Sequence, residues 1–140
     1  MRLITNPDPY NGGKAEVLLL NSLIKKLHEY LGENHKAAWI VASGVQSEMY
    51  ITIQILEGRK KPKSILVLPV IHSTVLRLRE VSIGAQGQPW FRFSLVIDDS
   101  GKPNVSYDWL EDPRVHEVDL LLDLVEFPRE RCTLPEWYFR

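Results

Sequence analysis

The segment PWFRFSLVIDDSGKPNVSYDW, Pro89 to Trp109, constrains the fold more than any other part of the chain. Two runs of alternating residues flank DDSGK, and in a strand successive side chains point to opposite faces. Pairing residues whose numbers sum to about 200 puts the turn at DDSGK, with Gly101 supplying backbone angles that other residues resist. That register sets Phe91 opposite Trp109, Phe93 opposite Tyr107 and Leu95 opposite Val105 on one face. The other face pairs Arg92 with Asp108, Ser94 with Ser106, and Val96 with Asn104. A slip of one residue mixes the two sets, so the pattern fixes the register. The aromatic face reads as core rather than a platform for bases, each cross-strand pair adding roughly 0.2–1 kcal/mol beyond burial.

The rest of the chain falls around this hairpin. Residues 1–13, with Pro7, Pro9, Gly12 and Gly13, read as an irregular arm, and residues 14–140 as one domain. From Lys14 to Leu31, Val17, Leu20, Leu23, Ile24, Leu27, Tyr30 and Leu31 recur at helical steps, with Gly32 as a stop. AAWIVASG and SEMYITIQILEG read as two antiparallel strands joined through Val45 and Gln46, GRKKPK as a turn, and SILVLPVI as a third strand interrupted at Pro69. In HSTVLRLREVSIG, Ser73 or Thr74 is expected to cap a short helix. Asp112 and Pro113 read as the cap and first turn of a last helix, along which Val115, Val118, Leu121, Leu122 and Val125 share one face. The tail CTLPEWYFR is too aromatic to be left in water and is expected to pack back on the body. The expected fold is therefore a single α+β domain: an antiparallel sheet of about five strands, a long N-terminal helix, and a C-terminal helix packed on it.

Composition excludes several classes of function. A chain of 140 residues with net charge −1 has no overall electrostatic reason to seek nucleic acid or membrane. MRLITNPDPYNGG lacks the apolar run of a signal peptide, and no apolar stretch approaches the ~20 residues of a membrane span. The single cysteine, Cys132, fits a reducing compartment and no thiolate metal site, so the expected location is the cytoplasm. His28, His35, His72 and His116 show no metal-ligand spacing. Cys132 with His72 or His116 makes a nucleophile and base only on paper, and Gly84–Gly87 lacks the ending of a phosphate loop. Asp98–Asp99 reads as turn chemistry rather than a magnesium site. Neither catalysis, nor a cofactor, nor a metal is expected.

Charge distribution is more informative than its total. Residues 98–126 hold nine acids (Asp98, Asp99, Asp108, Glu111, Asp112, Glu117, Asp119, Asp123 and Glu126) against Lys102 and Arg114, which leaves the segment at −7 and the remainder at +6. Such asymmetry fits either the solvated outer face of the last helix, which Glu117 and Asp119 suit, with Asp112 as a cap, or a surface that recognises a basic partner. The basic run Arg59, Lys60, Lys61 and Lys63 is short and has no interleaved aromatics, so it reads as a solvated turn rather than a nucleic-acid site.

Leu78-Arg79-Glu80 before a glycine-rich turn, Pro89-Trp90, the Asp98–Gly101 turn and Tyr107–Asp112 together resemble the YezG-like family of bacterial immunity proteins. The likeness in element order covers roughly residues 15–140, and its motifs lie in about 78–112. The resemblance implies a cytoplasmic antitoxin that binds and neutralises a secreted or contact-delivered toxin domain of a polymorphic toxin system, often a nuclease, in the cell that makes it. The expected partner is then a basic protein toxin domain, with no direct contact to nucleic acid or membrane. Asp98, Asp99, Asp108, Glu111 and Asp112 are the expected contacts, with Arg92 beside them and Trp90 as an anchor where exposed. Two alternatives share the acidic segment: a small hydrolase or transferase with an acidic cleft, and a non-catalytic adaptor for a basic partner.

Overall fold

The computed structural model describes residues 2–5, 13–31, 36–58, 60–83, 88–128 and 135–139. The fold is α+β. Helix α1 (Gly13–Tyr30) precedes strands β1 (Ala37–Val45), β2 (Glu48–Leu56) and β3 (Lys63–Ile65); helix α2 (Pro69–Val81) leads to β4 (Arg92–Asp98) and β5 (Pro103–Asp108); helix α3 (Glu117–Glu126) and a 3-10 turn (Glu136–Phe139) follow. The five strands form one antiparallel sheet in the order β3-β2-β1-β4-β5.

One face of the sheet carries the core. Ala38, Ile40 and Ala42 of β1 line up with Ile55, Ile53 and Ile51 of β2 on one side. On the other they meet Ile97, Leu95 and Phe93 of β4. Leu20, Leu23, Ile24 and Leu27 of α1, and Ile71, Val75 and Leu78 of α2, cover this face and are essentially without solvent contact. The opposite face is wet, with Tyr50, Thr52 and Arg92 exposed and the Trp39 indole donating to Gln54 Oε1 at 3.2 Å. Gly44 lies against the β2 backbone: a Cβ there would lie 2.2 Å from the Glu48 carbonyl oxygen.

The hairpin has the register its alternation dictates. Phe93 pairs with Tyr107, Leu95 with Val105, Arg92 with Asp108, Ser94 with Ser106 and Val96 with Asn104. Gly101 takes φ +77° and its N–H closes the turn onto the Asp98 carbonyl at 3.0 Å. Beyond the ladder the pattern lapses: Phe91 N–H reaches Asp108 rather than Trp109, and Phe91 packs edge-on to Trp137 with centroids 5.1 Å apart. The tail does return to the body, since Trp137 Nε1 donates to Leu110 O at 2.6 Å and Tyr138 Oη to Leu120 O at 2.8 Å. At the other terminus, Ile4 exchanges two hydrogen bonds with the Asn21 side chain, which ties the start of the arm to α1.

Three local expectations are corrected. SILVLPVI is not one strand: β3 ends at Ile65, and Pro69 opens α2. Proline cannot donate to a ladder, but at the first position of a helix its missing N–H is no loss. Ser73 and Thr74 consequently lie inside α2, where Thr74 Oγ1 donates to the Val70 carbonyl at 2.7 Å. Asp112 caps no helix. Its Oδ1 accepts Arg114 N–H at 2.8 Å in a local turn, and Arg114 at φ 55° breaks the helical path. α3 starts later, with His116 Nδ1 accepting Val118 N–H at 3.1 Å.

Candidate functional site

The five carboxylates of the expected surface do not form one cluster. Asp98 and Asp99 occupy the hairpin tip, and Asp108, Glu111 and Asp112 its base. The two groups are separated by the length of β4, roughly 20 Å at about 3.3 Å per residue. At the tip, the Ser100 hydroxyl and N–H both donate to Asp98 Oδ1 and hold its carboxyl below the ordinary aspartate range. Asp99 is exposed. These are turn-forming contacts.

The base of the hairpin is richer. Asp108 Oδ1 accepts Leu110 N–H at 2.8 Å and Glu111 N–H at 2.9 Å, so the carboxylate shapes the chain as it leaves β5. Arg92 lies across from Asp108 and reaches Glu111 at 3.5 Å, with both side chains nearly half exposed. Such a pair contributes about 0–1 kcal/mol and is readily exchanged for an outside partner. The β1–β2 turn at Gln46–Ser47 belongs to this same end, because Ser43 pairs with Arg92 and Gly44 N–H bonds Phe91 O. Ser47 Oγ donates to Asp119 of α3 at 2.7 Å, which brings the acids of that helix to the hairpin base. Glu111, Asp112, Glu117 and Asp119 thus share one end of the sheet with Arg92.

Two residues behave otherwise than expected. Trp90 is fully buried, with its ring 5.6 Å from Phe93 and 6.3 Å from Tyr107, so it anchors nothing outside the molecule. It precedes β4, where Pro89 bridges Ile83, and the strand alternation that would have turned it outward does not yet apply. Asp123 is the other. It belongs to the acidic run, yet it is buried and forms a two-pronged ion pair with Arg79 at 2.5 and 3.0 Å, both side chains without solvent exposure.

The sequence reading missed the role of Arg79. Its Nε donates to the Trp90 carbonyl at 2.6 Å, and its guanidinium lies within 6.0 Å of the Trp90, Phe91 and Phe127 rings. Asp123 Oδ1 also accepts Gln46 N–H at 3.1 Å, while Gln46 Nε2 donates to Leu76 O at 2.9 Å. One buried pair therefore joins α2, the β1–β2 turn, the start of the hairpin and α3. The signal was available: Ile71, Val75, Arg79 and Ser82 follow one helical face, and a cation on an apolar face requires a buried counter-charge.

An open groove of about 690 Å³ is lined by Met49, Tyr50, Ile51 and Thr52 of β2, Val67 and Pro69, and His72, Ser73 and Leu76 of α2. No carboxylate lines it. At its rim Glu48 accepts the Tyr50 hydroxyl, which, with the charge of Glu48, raises the phenol above its usual range. His72 and His116 are exposed, and His28 is half-buried in α1. His35, Arg59, Gly84–Gly87 and Cys132 lie outside the described residues, as does most of the arm. Among the described residues no group of three His, Cys, Asp or Glu side chains is placed to hold a metal, and no helix is long and apolar enough to cross a membrane. No family model matches the chain, and no curated protein does so either.

Proposed function

We propose that this is an immunity protein that binds a toxin domain, a basic nuclease, stoichiometrically and without catalysis of its own. The observation that carries the proposal is the placing of exposed Glu111 and Glu117 and half-buried Asp112 and Asp119 at the end of the sheet that also holds the Arg92–Glu111 pair. Nuclease sites are basic because they grip phosphates. A surface of carboxylates matches such a site and speeds encounter with it. The supporting elements are paired strands and a helix fixed by a buried ion pair, so little ordering entropy is lost on docking. The resemblance of residues 78–112 to the YezG-like family supports the same conclusion. The groove beside β2 and α2, with its largely apolar lining, lends no support to an acidic cleft at that place.

The test begins with the neighbouring reading frame. A toxin domain encoded there, purified and mixed with this protein, is expected to form a one-to-one complex and lose its nuclease activity. A complex that leaves the nuclease active makes the protein an adaptor. No complex at all ends the proposal.

A further inference from the structure

Helix α3 carries its apolar face on the outside. Val118, Leu121 and Leu122 are 53–55 % exposed and Val125 79 %, whereas the buried residue of the helix is Asp123. At about 100° per residue the four apolar side chains occupy one face, Asp119 flanks it beside Leu122, and Asp123 turns inward together with half-buried Leu120 and Leu124. Scattered surface leucines need no explanation, but a stripe spaced i, i+3, i+4, i+7 is the pattern with which a helix fills a groove. The orientation is enforced. Turning the stripe inward would withdraw Asp123 from Arg79 and leave that cation buried without its counter-charge.

The charges around the stripe choose among possible covers. α3 contains Glu117, Asp119 and Glu126 beside the stripe and no base, its fourth acid, Asp123, being buried against Arg79; Glu111 and Asp112 precede the helix, with Arg114 between them and it. A second copy packed on this face would bring carboxylates against carboxylates. An anionic lipid surface would meet the same repulsion, and interfacial helices use the Lys and Arg that α3 lacks. A protein groove with an apolar floor and a rim of Lys and Arg satisfies both the stripe and its border.

We propose that the Val118–Val125 stripe is the anchor of the partner surface and seats in a basic-rimmed apolar groove on the toxin domain. This rests on the immunity function proposed above. Acids at the hairpin base then steer the encounter, and the stripe sets how long the complex lasts.

The test uses the full chain with Leu121→Gln and Val125→Gln together, which removes the apolar anchors without changing charge. Binding to the purified toxin domain of the neighbouring frame is followed kinetically. The expected result is a dissociation rate raised on the order of a hundredfold, as for paired hot-spot residues, with the association rate and its salt dependence kept. As a second measurement independent of the substitutions, a photo-crosslinker at Leu122 should capture the toxin domain, and one at exposed Leu66 should not. Unchanged dissociation, or capture only from Leu66, overturns the anchor while leaving the immunity function standing. Failure of the unsubstituted chain to bind ends both. Sedimentation and flotation cover the other occupants: a dimer of the free protein, or adhesion to phosphatidylglycerol vesicles, that is abolished by the double substitution would overturn the proposal in favour of a second copy or lipid.

Discussion

The β4–β5 hairpin and helix α3 are neighbours in sequence, and both are amphipathic, yet they bury opposite kinds of residue. In the hairpin Phe93 and Leu95 are enclosed and Arg92 is wet; in α3 Val118 and Val125 are wet and Asp123 is enclosed. The difference lies in what each element is attached to. The hairpin extends a sheet whose inner face is already covered by α1 and α2, so its apolar side has a core to join. α3 meets the body at the end of that sheet, where the underlying feature is Arg79, and an unpaired buried cation costs more than several exposed leucines. Periodicity tells which residues share a face. It does not tell which face turns inward.

The largest expected effects test the two kinds of attachment side by side. Asp123→Ala leaves the Arg79 guanidinium buried without its counter-charge, and should cost about 3–5 kcal/mol in urea denaturation. Arg79→Met combined with Asp123→Leu should recover most of that loss, because the penalty comes from the orphaned charge. Phe93→Ala should cost a similar amount, about 3–5 kcal/mol, but by opening a cavity in the apolar core. A loss below roughly 1 kcal/mol at Phe93 would contradict its enclosure between Trp90 and Tyr107. Full stability in the Asp123→Ala protein would show that the pair does not hold α3.

A smaller effect sharpens the comparison within one residue type. Leu23 of α1 is 1 % exposed and Leu121 of α3 is 55 % exposed. Leu23→Ala should cost about 2–5 kcal/mol, and Leu121→Gln no more than about 0.5 kcal/mol. If the two losses are comparable, the stripe on α3 is covered in the free protein and its outward orientation is wrong.

The legibility of the chain follows the same division. The hairpin register, the α1 face and the return of the aromatic tail were readable, because alternation, helical spacing and aromatic content each act locally. The starts of α2 and α3 were not. Pro69 serves a strand edge and a helix start equally well on paper, and Asp112-Pro113 offers a cap that the turn at Arg114 then uses for itself. The binding surface was half legible. Sequence proximity joined Asp98 and Asp99 to Glu111, whereas strand length separates them; Ser47, with no charge at all, is what draws Asp119 toward the hairpin base. Asp123 looked like one more surface acid because its partner lies 44 residues away in α2.

That separation supplies the smallest and most discriminating expectation. Asp99 at the tip and Glu111 at the base are both exposed, and reversing either to Lys should change folding stability by no more than about 0.5 kcal/mol. Glu111→Lys replaces a negative charge by a positive one and leaves the charge of Arg92 without its pair at the hairpin base. At about 0.15 M ionic strength the screening length is about 8 Å. Asp99, roughly 20 Å from the base, then lies more than two screening lengths from a partner docked there. Glu111→Lys should therefore slow association with the basic toxin domain by up to about tenfold, and Asp99→Lys should leave it nearly unchanged. At about 0.01 M the screening length grows to about 30 Å, and Asp99→Lys should begin to slow association as well. Stopped-flow association rates at the two salt concentrations make the measurement. Equal slowing by both reversals at the higher salt would extend the docking surface to the hairpin tip and remove the distinction between the two ends.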